Sequence, residues 1–170
     1  MIEPNELKGM IALVTGASSG IGGATAISLA SSGASVIVHY NNNRKGADHV
    51  AEQICHNGGE ALLIAGDLSS LDGIQSVVEQ LRRLPKPVDL LVNNAGSLIE
   101  RARVLEIRED LWNRTLTLNL TSAFLISQAV LPPMLAQKRG TIINVSSLAA
   151  LTGAGLDRAP TRRRREACRR

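Results

Sequence analysis

A glycine-rich turn near the amino terminus is the first segment whose residue types and spacing suit a chemical role. Gly16, Gly20 and Gly22 form the pattern G-x-x-x-G-x-G directly after an apolar run. Glycine suits such positions because it permits a tight turn and lets the backbone approach an anionic ligand. Amide groups at the start of the next helix would then face a diphosphate. The segment predicts a dinucleotide site, and a strand-to-helix turn with no ligand is the alternative.

Three further polar segments follow in order along the chain. N-N-A-G occupies Asn93 to Gly96, Asn119 stands in L-N-L, and I-I-N-V-S-S ends at Ser147. Each segment also has a purely structural interpretation when it is taken alone. The paired asparagines could cap a turn, Asn119 could be a solvated helix residue, and Ser147 could cap a helix.

The elements that must position these residues alternate regularly over most of the chain. Nearly continuous apolar runs predict strands at 11–15, 35–40, 61–65, 88–93 and 141–145. Amphipathic stretches predict helices at 20–32, 44–57, 70–84 and 108–138. Because parallel strands require right-handed crossovers, this order predicts an α/β fold with a doubly wound parallel sheet of the Rossmann type. Its binding crevice is expected at the carboxyl ends of the strands.

Length and composition restrict the class of protein. A chain of 170 residues with 44% apolar and 20% charged residues is expected to fold as one globular domain. Neither Cys55 nor Cys168 has a second ligand at useful spacing, so no disulfide framework and no metal site are expected. The chain shows no leader pattern and no long uninterrupted apolar run, which predicts a cytoplasmic protein without a membrane partner.

Charge divides the chain into two parts, a domain at 1–157 and an arginine-rich segment at 158–170. Seven of the 19 Lys and Arg residues lie after Asp157, and without them the acidic residues slightly outnumber the basic ones. Such a segment could neutralise the phosphates of a nucleic acid or an anionic membrane, which is the competing functional class. Because it contains no interleaved aromatic residues, a nucleic-acid partner is not expected.

The four motifs, in this order, resemble the short-chain dehydrogenase/reductase family over about residues 8–155, particularly its 3-oxoacyl-[acyl-carrier-protein] reductases. The resemblance implies hydride transfer between a nicotinamide cofactor and a small carbonyl or alcohol substrate. It assigns catalytic roles to Asn119 and Ser147. Candidate cofactor residues are Gly16, Ser18, Ser19, Gly20, Ile21, Gly22, Tyr40, Asn41, Asn42, Arg44, Asp67, Leu68, Asn93, Ala95 and Gly96.

Residues after the second predicted strand indicate the cofactor type. A carboxylate there would bind the adenosine ribose of NAD(H) and repel a 2′-phosphate. The chain instead has Asn41 and Asn42, followed by Arg44 and Lys45, so NADP(H) is favoured over NAD(H). The alternative for the two cations is a solvated helix start. Asp67 resembles the family residue beside adenine and could otherwise cap the next helix.

The family's Tyr-x-x-x-Lys pattern, which supplies the substrate proton, is missing. Pro160 occupies the expected place and Tyr40 is the only tyrosine, so impaired or absent turnover is expected. Codons for residues 159–167 can be spelled so that another reading frame encodes Ala-Tyr-Ala-Ala-Ala-Lys-Gly-Gly. We therefore hypothesise a frameshift after about residue 157, which the nucleotide sequence of the gene would test.

A shortened carboxyl-terminal part would also leave the fold incomplete. In the family, a helix after the active-site serine and two further strands complete the sheet, and that helix forms the dimer interface with the predicted helix 108–138. Full-length members are homo-oligomers. In this chain, apolar side chains of the long helix are expected to lack cover, namely Leu116, Leu118, Leu120, Phe124 and Leu125.

Overall fold

A computed structural model describes residues 5–148 of the chain. The strands are β1 (Ile11–Val14), β2 (Ser35–Tyr40), β3 (Glu60–Ala65), β4 (Leu90–Asn93) and β5 (Thr141–Asn144). The α-helices are α1 (Gly20–Ser31), α2 (Arg44–His56), α3 (Leu71–Arg82), α4 (Glu109–Leu116) and α5 (Ser122–Ala136). A 3₁₀ turn covers Val104–Glu106 and a π turn covers Thr117–Thr121. Each strand lies where the apolar runs predict it, with ends that differ by at most two residues.

The five strands form one parallel sheet in the order β3-β2-β1-β4-β5. The chain crosses from β1 outward to β2 and β3, and then returns to the other side of β1 for β4 and β5. This reversal makes the carboxyl ends of β1 and β4 the switch point of the sheet, where α/β proteins bind ligands. The predicted doubly wound, Rossmann-type class is confirmed.

Two apolar clusters, one on each face of the sheet, form the core. One cluster joins β1 and β2 to α1 and α2, with Ala26, Val50 and Ile54 among its helical members. The other joins the sheet to α3 and α5, including Ile74 and Ile126. Burial on both faces explains why the strands are nearly continuous in apolar residues instead of alternating.

The predicted single helix 108–138 is interrupted. The π turn divides it into α4 and α5, although the helical stretch Glu109–Ala136 remains unbroken. By length and composition alone this stretch is apolar enough to cross a membrane, with a mean hydropathy of 1.3. In the structure, however, Ile126, Val130 and Met134 are buried in the cluster shared with α3, so α5 is a core helix of the domain.

An apolar surface, which we call the α5–β5 surface, is exposed beside the last strand. Leu120, Phe124 and Leu135 are each more than 60% exposed, and Ile143 and Val145 of the β5 region are about two-fifths exposed. Leu116 is also exposed, as the sequence predicts. The same expectation is wrong for Leu118 and Leu125, because both pack against the core.

The division at residue 157, Pro160 and the arginine-rich segment 158–170 lie outside the described residues.

The amino end of the sheet is held by Asp89, whose carboxylate accepts a hydrogen bond from the Ile11 amide at 3.0 Å and pairs with Arg139 at 3.0 Å. These contacts join β1, β4 and the turn before β5 at the edge opposite the switch point.

Candidate nucleotide-binding site

A cleft of about 480 Å³ opens at the carboxyl ends of the strands. It runs across the segments that follow β1, β2, β3 and β4, and α4 borders one end. Most of its walls are polar, and many come from loops that the sequence singles out. Its lining residues are Gly16, Ser18, His39, Asn41, Asn42, Asn43, Asp67, Leu68, Ser69, Asn94, Ala95, Gly96, Ser97, Ile99, Arg114 and Leu118.

The glycine turn after β1 is built for close approach of a ligand. Gly16 and Gly20 have positive φ angles of 64° and 57°, which residues with a Cβ adopt at a cost. A Cβ at Gly22 would lie 2.5 Å from the Gly16 carbonyl oxygen and would also meet the Asn94 side chain. The spacing of the three glycines is therefore required by the local geometry.

The start of α1 leaves backbone donors available to an anion. Ser19 is the residue before the helix, and its side chain does not cap the helix. Within residues 5–148, the amides of Ser19, Gly20, Ile21 and Gly22 donate to no protein acceptor. These groups carry the positive end of the helix dipole, so the turn suits a phosphate group. The side chain of Ile21 is 69% exposed beside them.

Asn94 and Thr15 connect the N-N-A-G segment to the glycine turn. The Thr15 hydroxyl accepts hydrogen bonds from the amides of Asn94 and Ala95, both at 3.0 Å. The Asn94 side chain donates to the Thr15 carbonyl at 2.8 Å and to the Gly16 carbonyl at 3.2 Å. Two loops distant in sequence therefore form one wall of the cleft.

Asn93 does not line the cleft, whereas its neighbour Asn94 does. It is buried at the end of β4, where its Nδ2 donates to Ser127 Oγ at 3.1 Å and to Asn144 Oδ1 at 2.9 Å. It therefore joins β4, α5 and β5 below the cleft, whereas Ala95 and Gly96 line the cleft itself. Its Oδ1 has no partner among the described residues.

Asp67 and Asn41 form the wall beyond β2 and β3. Asp67 Oδ1 accepts from the Asn41 side chain at 3.2 Å and from the Ser69 amide at 2.9 Å. The helix cap that the sequence allows for Asp67 is supplied instead by Ser70, which accepts from the Gly73 amide at 3.1 Å. The side chains of Asp67 and Asn41 thus belong to the cleft, and neither of them caps the start of α3.

Arg44 and Tyr40 lie next to this wall. The Arg44 Nε is 2.9 Å from Asp48 Oδ1, and its Nη1 donates to the Tyr40 hydroxyl at 3.2 Å. The guanidinium carbon lies 5.8 Å from the centre of the Tyr40 ring. Asn43 caps α2 by accepting from the Gly46 amide at 3.1 Å. Arg44 is therefore a mostly exposed cation that contacts Asp48 and Tyr40, one residue beyond the cleft-lining asparagines.

The two predicted catalytic residues are both found near the carboxyl edge. Asn119, in the π turn, clasps the backbone of Ser97: its Nδ2 donates to the Ser97 carbonyl at 2.7 Å and its Oδ1 accepts from the Ser97 amide at 3.2 Å. It is thus not merely a solvated helix residue. Ser147 is exposed just beyond β5, whose Asn144 pairs with Asn93. Neither side chain is among those that line the cleft.

His39 belongs to the site, although sequence reasoning passed over it as part of a strand without an acidic residue. The residue is 2% exposed; its ring accepts from the Gly16 amide at Nδ1 (3.1 Å) and contacts the Gly66 carbonyl through Nε2 (3.1 Å). Burial lowers the pKa of His39 to about 4. The signal in the sequence was a polar residue inside an apolar run that leads directly to the cleft.

Clusters of metal-ligating side chains are absent from residues 5–148.

Known proteins match most of the chain. The short chain dehydrogenase family matches residues 10–157. A 3-oxoacyl-[acyl-carrier-protein] reductase of Synechocystis is 40% identical over 147 residues, which cover 86% of this chain and 59% of the relative. The chain thus spans about three-fifths of the length of this curated relative.

Solved structures agree in fold. A 3-oxoacyl (acyl-carrier-protein) reductase from Agrobacterium tumefaciens, with NADP bound, has a TM-score of 0.78 and 36% identity, covering 86% of this chain and 55% of its own. A putative gluconate 5-dehydrogenase from Beutenbergia cavernae, also with NADP, has a TM-score of 0.79 and 38% identity, covering 89% and 59%. The resemblance drawn from the motifs is confirmed: this chain belongs to the short-chain dehydrogenase family.

Proposed function

We propose that the cleft binds NADP(H) and that the chain is the nucleotide-binding part of a short-chain dehydrogenase/reductase. The observation that carries this proposal is the row of amides from Ser19 to Gly22, which have no acceptor within the described residues. Glycine at position 22 is required for this turn, because a Cβ there would meet the Gly16 carbonyl oxygen and the Asn94 side chain. The remaining cofactor candidates would contact the rest of the dinucleotide along the cleft.

NADP(H) is favoured over NAD(H) because the residues directly after β2 are asparagines followed by the cation Arg44, with no carboxylate among them. Asn41 and Asn42 line the cleft there, and Arg44 follows with one guanidinium nitrogen, Nη2, that donates to none of the described residues. Asp67 is held by Asn41 and would lie beside the adenine. The NADP found in several similar structures supports this assignment.

The proposed reaction class is hydride transfer to or from a carbonyl or alcohol carbon, with the nicotinamide supplying or accepting the hydride when it is bound. Asn119 would position the Ser97 segment at the cleft mouth, and Ser147 would polarise the carbonyl. The sequence has no tyrosine other than Tyr40, which is buried at the end of β2 beside Arg44. With no phenol to exchange the substrate proton, we expect weak or absent turnover.

The substrate and the cellular context are part of the same proposal. A 3-oxoacyl thioester is the substrate class that best fits the Synechocystis and Agrobacterium relatives. The gluconate 5-dehydrogenase neighbour shows that the same fold accompanies other carbonyl chemistry. We propose a cytoplasmic protein whose partner is a small molecule and not a nucleic acid or a membrane.

Isothermal titration of the whole chain with NADP⁺ and with NAD⁺ tests the proposed function. We expect NADP⁺ to bind more tightly, because Arg44 would contact the 2′-phosphate. Arg44→Ala should weaken NADP⁺ binding by roughly tenfold and leave NAD⁺ binding unchanged. Arg82→Ala is the matched control, since Arg82 ends α3 at the opposite edge of the sheet. No binding of either nucleotide by the folded chain would refute the proposal.

A further inference from the structure

His39 connects two loops of the cleft through a single buried ring. It is the penultimate residue of β2, which lies between β1 and β3 in the sheet. Nδ1 lies 3.1 Å from the amide nitrogen of Gly16, which follows β1, and Nε2 lies 3.1 Å from the carbonyl oxygen of Gly66, which follows β3. The ring also forms part of the cleft floor.

The two partners determine the state of the ring. A backbone amide can only donate, so Nδ1 must accept from Gly16; a carbonyl can only accept, so Nε2 must carry the hydrogen that goes to Gly66. This arrangement requires one neutral tautomer, and burial, which lowers the pKa of His39 to about 4, keeps the ring neutral at neutral pH. Both ring nitrogens of His39 thus have a hydrogen-bond partner in the folded chain.

The same residue settles which amides of the turn are available to a ligand. The Gly16 amide is taken by the His39 ring, and the Ala17 amide donates to the His39 carbonyl at 2.8 Å. The amides of Ser19, Gly20, Ile21 and Gly22, further along the turn, have no acceptor within the described residues. His39 therefore binds the amides of Gly16 and Ala17, and the amides from Ser19 to Gly22 are left without a protein acceptor among the described residues.

We propose that His39 is a positioning residue for the nucleotide: by accepting the Gly16 amide, it sets the turn so that the free amides at the start of α1 converge on the diphosphate. Glycine at Gly16 adopts a positive φ of 64° and is the most flexible residue type, so an unheld amide there would let the turn relax. The bond to Gly66 fixes the start of the Asp67 loop in the same way. This inference rests on the proposed nucleotide site.

Three variants separate positioning from simple packing. His39→Asn keeps an acceptor one bond from Cγ, where Nδ1 now stands, but is too short to reach Gly66. His39→Leu fills similar space and leaves the Gly16 amide without an acceptor. His39→Gln carries its amide one bond further out, towards Gly66, and has no acceptor directly beside Gly16. All three are expected to lower the melting temperature, so stability alone does not discriminate among them.

Titration with NADP⁺ at neutral pH does discriminate. We expect His39→Leu to raise the Kd about tenfold, because the partly buried Gly16 amide is left unpaired, and His39→Asn to restore it to within about threefold of the unmodified chain. His39→Gln should bind more weakly than His39→Asn. His49→Leu is the control, since His49 is exposed on α2 and does not line the cleft.

Two results would overturn the inference while leaving the proposed function intact. One is binding by His39→Leu as tight as that of the unmodified chain. The other is equal binding by His39→Asn and His39→Gln, which would show that the acceptor beside Gly16 is irrelevant; this comparison also decides the matter if His39→Leu does not fold. Failure of the unmodified chain to bind NADP⁺ would instead remove the proposed function and this inference together.

Discussion

Single polar residues at the carboxyl ends of the strands each make several of the hydrogen bonds that hold the cleft together. The Thr15 hydroxyl accepts hydrogen bonds from the amides of Asn94 and Ala95. The Asn94 side chain in turn donates to the carbonyls of Thr15 and Gly16. Buried polar groups of this kind cost free energy when a partner is lost, by about 1–3 kcal/mol for each unpaired group. The cleft is therefore sensitive to conservative changes at its floor as well as at its walls.

His39 should make the stability of the chain depend on pH. Its pKa falls from 6.5 in the unfolded chain to about 4 in the folded chain because the ring is buried. The stabilisation is complete above pH 6.5 and is lost as the pH falls towards 4, since only the unfolded chain takes up the proton in that interval. At pH 5 this residue alone should lower the free energy of unfolding by about 2 kcal/mol.

Urea unfolding at pH 7.5 and pH 5 measures that effect. His39→Asn removes the titrating ring, whereas the exposed His49 and His56 remain in both chains. The difference between the two chains therefore isolates the contribution of His39 from that of the carboxylates. An identical loss of stability in the two chains between these pH values would show that the ring is not held neutral by burial.

Among the secondary-structure elements, the π turn between α4 and α5 does more than lengthen a helix. One extra residue in the turn brings Asn119 to the segment after Gly96, where a Cβ on the glycine would lie 2.9 Å from Asn119 Oδ1. Single π turns inside α-helices occur frequently at functional sites. Here the turn joins the helix on one side of the sheet to the loop that borders the cleft.

Asn119→Ala should loosen that loop. The change removes two hydrogen bonds to the Ser97 backbone and one to the Thr115 carbonyl, and we expect about 1–2 kcal/mol of lost stability. Hydrogen exchange at the Ser97 amide should become faster, because its acceptor is gone. Asn113→Ala, an exposed change on α4, is the control. Equal exchange at Ser97 in both variants would contradict this role of Asn119.

For the whole molecule, the α5–β5 surface is the main departure from an ordinary monomer surface. Leu120 and Phe124 are 66% and 62% exposed, and Ile143 and Val145 in the β5 region are 44% and 41% exposed. Exposed apolar surface of this kind is a site of association with protein or a cause of aggregation.

The chain should therefore self-associate. Sedimentation velocity at micromolar concentration is expected to show dimers and larger species, which the pair of changes Leu120→Gln and Phe124→Gln should shift towards monomer. Leu62→Gln provides the control, since Leu62 is 48% exposed on β3 at the opposite edge of the sheet. A monomeric unmodified chain would contradict the expectation, and so would an equal effect of the control change.

Most of the fold could be predicted from the sequence because its signals are local. A buried parallel strand must be apolar on both faces, and a crossover helix must be apolar on one, so β1 to β5 and α1 to α3 are visible as patterns. The glycine turn could be predicted for the same reason, since Gly16, Gly20 and Gly22 are neighbours in the chain. The π turn has no comparable pattern, and its Asn119 contacts the Ser97 segment, which is distant in the sequence.

What the sequence determined by itself was the order of the elements, the family motifs and the absence of a second tyrosine. Only the tertiary structure decided how these motifs are used: that Asn93 joins strands below the cleft while Asn94 holds the turn, that Ser70 and not Asp67 caps α3, and that His39 connects two loops. The physical reason is that a hydrogen bond depends on which atoms the fold brings within about 3 Å, and residue type states only what an atom can donate or accept.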